Sequence, residues 1–214
     1  MSGPAHMATQ TAVANPAKDR RMRVSTLRIV LCALIVGVVC FTFAYTAAWG
    51  AKIDLMSTQS STDVFKTMNL EALDGSSFTT ENLKDARLTL FNVWGTTCAP
   101  CIEELPTLEE LNHSYAPGEI QVVGMLEDSL DTNGQPVPAR LKTAQNYLEK
   151  AGATFPTLAL DEATYAYVKT AAIGTPTTFF VDSDGNIVQV VTGANSLQGW
   201  KDQVDTALSK LDSQ

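Results

Sequence analysis

Metal-binding and cross-linking residues are scarce in this chain. Among 214 residues there are two histidines, His6 and His113, and four cysteines, Cys32, Cys40, Cys98 and Cys101. A structural zinc site takes four such ligands. Beside Cys98 and Cys101 the globular part of the sequence offers only His113, so zinc is not expected. Cys32 and Cys40 fall in an apolar run, which leaves one cysteine pair and excludes a disulfide-framework protein. Asp182 and Asp184 flank a turn, without the further oxygens a calcium loop needs. A basic stripe is also missing. Before residue 50 there are five basic residues (Lys18, Arg20, Arg21, Arg23, Arg28) against Asp19, a balance of +4, and the remaining 10 basic and 22 acidic residues leave −12. So acidic a body argues against nucleic-acid binding and against lying flat on an anionic membrane. No internal repeat is present.

What is present divides the chain into four parts. Residues 1–28 lack an apolar period and read as a cytoplasmic tail ending in the basic cluster Arg20 to Arg28. Residues 29–49, Ile29 to Trp49, carry no charge. That is close to the ~20 residues a membrane-spanning helix needs. Basic residues crowd its near side, which places the N-terminus in the cytoplasm and the rest outside. The rival is a cleaved signal peptide, conceivably cut near Ala48-Trp49-Gly50, but its apolar region is usually only about 7–15 residues. A retained signal-anchor is therefore expected. Cys32 and Cys40 are small apolar packing residues on this reading, with lipidation or pairing between chains as alternatives. Residues 50–63 are a polar linker, and residues 64–214 a soluble domain.

Within that domain the pattern predicts a strand over Phe65 to Leu73, a turn at Asp74-Gly75, and a return over Ser77 to Thr79. One helical turn is expected at Thr80 to Lys84. Leu88 to Trp94, apolar on both faces, reads as a buried central strand, and Ile120 to Leu126 as the next. Between them Ile102 to Asn112 reads as a helix whose Pro106 should bend it. Glu127 to Pro138 is loop. Ala139 to Ala151 is a helix stopped by Gly152. Phe155 to Leu160 is a short strand, Asp161 to Lys169 a helical turn, and Thr178 to Val181 and Ile187 to Val191 form a hairpin. Ser196 caps a last helix with Trp200, Val204 and Leu208 inward. This order is that of an α/β sandwich with a mixed sheet.

The chemistry centres on Trp94-Gly95-Thr96-Thr97-Cys98-Ala99-Pro100-Cys101. A strand turns into a helix carrying Cys-x-x-Cys at its first turn. Residues three apart on a helix have Cβ atoms about 5–6 Å apart. Two sulfurs so placed can form and break a disulfide with little backbone movement. Unpaired amides and the positive dipole end at the helix start favour a thiolate, the attacking species in disulfide exchange. A merely static bridge across so short a loop would stabilise little. A redox pair is therefore expected. His113, near the helix end, reads as a surface or capping residue.

Several stretches together resemble the thioredoxin fold, and more closely the membrane-anchored extracytoplasmic thiol-disulfide oxidoreductases of the TlpA/ResA type. They are Phe91-Asn92-Val93-Trp94, Cys98-Ala99-Pro100-Cys101 followed by Glu104-Leu105-Pro106, Phe155-Pro156-Thr157-Leu158, Gly174-Thr175-Pro176-Thr177-Thr178-Phe179-Phe180-Val181-Asp182, and Asp184-Gly185-Asn186-Ile187. The resemblance spans about residues 65–211. It implies a thioredoxin-like α/β fold, a central mixed sheet flanked by helices, here preceded by one transmembrane helix. It implies that Cys98 is the exposed nucleophile and Cys101 the buried resolving thiol. Glu104 would be the carboxylate beneath them, taking the role of an aspartate that cytosolic thioredoxins carry where this chain has Asn92. Thr175-Pro176 would be a cis peptide beside the disulfide, with the Thr175 backbone free to pair with a substrate strand. Trp94 would be part of the site wall. Thr97 departs from the pattern, because relatives usually carry an aromatic residue immediately before the first cysteine.

The expected activity is extracytoplasmic thiol-disulfide exchange with partner proteins, in the reductive direction, with cytochrome c biogenesis as the task the resemblance suggests. An electron-donating membrane thiol protein would recharge the pair. No cofactor is expected. A disulfide-forming oxidase is the same chemistry reversed. A peroxide-reducing enzyme would want Thr three before its cysteine, where Gly95 stands. A non-catalytic adaptor would have no use for Cys98, Cys101, Glu104 and Pro176 together.

Overall fold

The computed structural model describes Leu34 and residues 64–213. The expectations for the tail, the anchor, the linker, Cys32 and Cys40 lie outside the described residues. Among the described residues no helix is long and apolar enough to cross a membrane.

A small antiparallel hairpin comes first: β1 (Asn69–Glu71) pairs with β2 (Ser77–Thr79). The main sheet has five strands in the order β5-β4-β3-β6-β7, with β3 (Leu88–Trp94), β4 (Ile120–Leu126), β5 (Thr157–Ala159), β6 (Thr177–Asp182) and β7 (Ile187–Thr192). β3, β4 and β5 run parallel, β6 pairs antiparallel to β3, and β7 pairs antiparallel to β6, so the sheet is mixed as expected. The parallel steps require crossovers. These are α1 (Ala99–Asn112) between β3 and β4, and α2 (Pro138–Ala151) between β4 and β5. Two more helices, α3 (Glu162–Ala171) and α4 (Leu197–Asp212), complete the domain.

All seven residues of β3 are buried. Successive side chains of a strand point to opposite faces. Leu88, Leu90 and Trp94 thus join one core with Cys101, Leu105 and Leu108 of α1 and Trp200 and Val204 of α4. Phe91 and Val93 join a second core with Phe65, Phe78, Leu83, Val123, Phe179 and Val181. The first core carries the cysteines. The second is a cluster of rings, with Phe65 stacked on Phe91 at 4.8 Å and tilted against Phe179 at 5.8 Å. Where β4 meets β5, a Cβ at Gly124 would come within 2.5 Å of Thr157 Oγ1. Only glycine allows so close an approach.

Three elements differ from expectation. Strand β1 is three residues long, because Val64–Lys66 forms a 3₁₀ turn that delivers Phe65 to the ring cluster instead of to a strand pairing. β5 is likewise only Thr157–Ala159. The expected turn after Asp161 is a full ten-residue helix, α3. Asp161 caps it by accepting from the Thr164 amide at 2.8 Å, and Thr164 and Val168 are buried one turn apart. Its β-branched and aromatic residues have modest helix propensity, so tertiary burial decides the conformation. α1 spans Pro106 within a single helix. Gly152 ends α2 in the left-handed conformation, φ 66°.

Candidate active site

Strand β3 delivers the chain to the site at Trp94, which is wholly buried. Gly95 and Thr96 stay buried, Thr97 is exposed, and Cys98 is half-buried. Cys98 is the N-cap of α1, its carbonyl accepting from the Ile102 amide at 3.1 Å. Pro100 sits in the first helical turn, where the absence of an N–H costs nothing. One turn in, Cys101 is 0% exposed. The two cysteines are joined in a disulfide with Cα atoms 5.3 Å apart. One sulfur-bearing residue thus faces outward and the other is enclosed.

Glu104 follows Cys101 by three residues on the same helix, so the two are neighbours on its surface. It is 4% exposed. Its Oε1 accepts from Trp200 Nε1 at 2.8 Å and from the Asn195 amide at 2.6 Å. Its Oε2 is buried without a hydrogen-bond partner. Burial pushes the carboxyl above its ordinary range. The donors from Asn195 and Trp200 pull it part of the way back, and so, falling short of a hydrogen bond, does the Asn92 amide. Asn92 itself donates to Thr178 Oγ1 at 3.0 Å, where β3 and β6 are in register.

The Thr175–Pro176 peptide is cis. Pro176 is buried and Thr175 half-buried, while Ile173 and Gly174 before them are exposed, Ile173 almost fully at 95%. Glu127 brings this loop and the cysteine loop together. Its Oε1 accepts from Thr175 Oγ1 at 3.4 Å and lies 3.2 Å from the point where a Cβ on Gly95 would stand. Asp128 binds Thr96, two residues before Cys98, through both the amide and the hydroxyl. His113 is the C-cap of α1 and pairs with Glu109 at 2.8 Å. Asp182 accepts from the Asp184 and Asn186 amides and so shapes the β6–β7 turn. Among the described residues no three His, Cys, Asp or Glu side chains gather where they could hold a metal ion.

Glu127 and Asp128 were indistinguishable from loop residues in the sequence. They follow β4 directly, and Trp94 pairs with Leu126, so parallel pairing of β3 and β4 sets them beside Gly95 and Thr96. Trp200 and Asn195 were likewise missed as partners of Glu104. Helical period marks Trp200 as buried, and a buried indole N–H wants an acceptor, but nothing in the sequence says which.

The Redoxin domain family matches residues 59–208. The chain belongs to the Redoxin family. Within it, this Redoxin protein is 28% identical over 140 residues to the thiol-disulfide oxidoreductase ResA of Bacillus thuringiensis (strain Al Hakam), an alignment covering 65% of this chain and 71% of that one. It is 28% identical over 116 residues to the thiol:disulfide interchange protein HelX of Rhodobacter capsulatus, covering 54% and 58%. The structure of MTB dsbF superposes with a TM-score of 0.53 at 23% identity, over 67% of this chain and 97% of the other. A thioredoxin-family thiol:disulfide interchange protein from Chlorobium tepidum TLS gives 0.53 at 24%, over 66% and 93%. The fold is thioredoxin-like, with the central mixed sheet flanked by helices. This Redoxin protein is a ResA-like thiol-disulfide oxidoreductase whose partners are protein thiols and disulfides.

Proposed function

We propose that the enzyme is a reductase of protein disulfides outside the cytoplasm, anchored by a single N-terminal span at residues 29–49, with its N-terminus cytoplasmic. The observation that carries the mechanism is the unequal burial of the two cysteines: Cys98 half-exposed at the helix start, Cys101 enclosed above Glu104. In the reduced protein the Cys98 thiolate attacks a partner disulfide, breaking that S–S bond and releasing one partner thiolate. A mixed disulfide remains between Cys98 and the partner. Glu104 takes the proton of Cys101. The Cys101 thiolate attacks Cys98 Sγ, the second partner thiolate leaves, and Cys98–Cys101 closes. Two electrons have passed to the partner. A buried carboxyl with a raised pKa suits this proton transfer, because it can hold and release a proton nearer to neutral pH. The Thr175 backbone, in a loop that is partly exposed ahead of Pro176, pairs with the partner's strand, and Trp94 stiffens the wall behind it. An electron-donating membrane thiol protein re-reduces the pair. The resemblance to the ResA type points to apocytochrome c thiols as the partner class, and the basic cluster before an uncharged apolar run supports the topology.

The Cys101→Ala variant tests the order of attack. It should accumulate mixed disulfides through Cys98 that dithiothreitol releases, while Cys98→Ser should form none. Mixed disulfides through Cys101 in Cys98→Ser would overturn the assignment. In intact cells a membrane-impermeant maleimide should label reduced Cys98. Labelling only after permeabilisation would contradict the topology.

A further inference from the structure

The Glu127–Asp128 pair is not used by the exchange chemistry, yet it meets both loops of the site. Asp128 Oδ2 accepts from the Thr96 amide at 3.1 Å and from Thr96 Oγ1 at 2.5 Å. Its Oδ1 is buried with no hydrogen-bond partner. Leaving a carboxylate oxygen unsatisfied is destabilising, so the group is not there for packing alone. The turn that carries it is held firmly. Arg140 Nη1 donates to the Asp128 and Leu130 carbonyls at 3.2 Å each, and the buried Ser129 accepts from the Leu160 amide at 3.0 Å. Glu127 is fixed by its amide on the Trp94 carbonyl at 2.9 Å, and its carboxylate reaches Thr175. No cation forms an ion pair with either carboxylate among the described residues. Arg140 meets Asp128 only at the main chain.

We propose that Glu127 and Asp128 are positioning residues that brace the Cys98 loop against the cis-proline loop, and that the Asp128 charge biases the Cys98–Cys101 couple toward the reducing side. Two residues of chain reach at most about 7 Å. Asp128, bonded to Thr96, is therefore near enough to act on Cys98 through a partly dry site. A negative charge there disfavours the Cys98 thiolate, hence the reduced form, hence lowers the potential. The charged groups around the loop are Glu127 and Asp128 after β4, Glu103 and Glu104 on α1, and Arg140 of α2, whose guanidinium binds the Asp128 and Leu130 carbonyls. Their balance is acidic. The inference rests on the redox reading of the cysteine pair, but not on the absolute direction of electron flow.

The test is the equilibrium of the full chain with glutathione for wild type, Asp128→Asn, Glu127→Gln and Thr96→Val, with alkylation of Cys98 followed against pH. Asp128→Asn should shift the equilibrium constant toward the reduced protein by about threefold or more, roughly 14 mV on a scale where tenfold is about 30 mV. It should also raise the fraction of Cys98 that alkylates as thiolate at neutral pH. Glu127→Gln should move both in the same direction, less far. Thr96→Val keeps both charges and should leave the equilibrium within twofold while slowing reaction with a protein disulfide. Unchanged equilibria in both carboxylate variants, a shift the other way, or an equal shift in Thr96→Val would overturn the proposal. If Asp128→Asn does not fold, Glu127→Gln and Thr96→Val decide it. A wild-type chain without a reversible couple would defeat the redox reading itself, which is a different result.

Discussion

Two carboxylates on α1, Glu104 and Glu109, show how one helix can carry two opposite proton chemistries. Both feel a burial that pushes their pKa up. At Glu109 that push is overcome. Its Oε1 takes the Thr154 hydroxyl at 2.6 Å and the His113 ring at 2.8 Å, its Oε2 takes the Thr154 amide at 2.8 Å, and the carboxyl ends below its ordinary range. At Glu104 two donors share one oxygen, the other oxygen has none, and burial wins. The difference lies in whether both oxygens are satisfied. Glu109 ties α1 to the loop before β5 and stays ionised. Glu104, set below the cysteines, is left able to exchange a proton.

The comparison breaks most visibly at Glu104. With glutamine there the acceptor for Trp200 and Asn195 remains but the titrating group is gone. Single-turnover resolution of the mixed disulfide should slow by about a hundredfold, with partner binding unchanged. Stability should respond with the opposite sign. A raised carboxyl pKa contributes stability that is present below the unfolded value and lost as pH rises through the folded one. Denaturant melts of Glu104→Gln and wild type should therefore agree at acidic pH, and the variant should be the more stable at neutral pH. Equal stabilities across the range would mean that Glu104 is not perturbed.

Trp200→Phe sharpens the same contrast by removing one donor from Glu104. The carboxyl should rise further, and the ionisation of Glu104 in the pH–rate profile should move to higher pH. A stability loss of about 1–3 kcal/mol should accompany it, from the lost bond and the thinner core. A profile that stays in place would separate Trp200 from the chemistry. The smallest effect is expected at Glu109→Gln, about 1 kcal/mol at neutral pH with turnover unchanged. Here the depressed pKa gives stability that is present above the unfolded value and lost as pH falls through the folded one. The deficit should vanish in acid, which is the mirror image of Glu104→Gln. A turnover defect at Glu109→Gln would dissolve the distinction between the two carboxylates.

Much of this is legible in the amino-acid sequence alone. β3 and β4 are uninterrupted apolar runs bounded by polar turns, and both occupy the expected residues. The last helix begins after Ser196, whose hydroxyl accepts from the Gly199 amide at 3.2 Å. These features are local, so periodicity and capping reveal them. The elements that escaped depend on distant contacts. Phe65 looks like a strand residue until Phe91 and Phe179 are seen beside it. α3 is held by tertiary burial more than by propensity. The same holds at the site. Cys98, Cys101 and Glu104 are three apart in sequence and could be read together. Glu127, Asp128, Asn195 and Trp200 reach them only through strand pairing and helix packing, which no local spacing records.

The most direct test of the account is the reduction potential of the full-length enzyme, equilibrated in detergent against dithiothreitol or glutathione and read by thiol trapping at Cys98 and Cys101. A two-electron couple well below about −200 mV, toward the thioredoxin end of the scale, is the predicted result. A couple near about −120 mV would make the protein a donor of disulfides and contradict the reductive role.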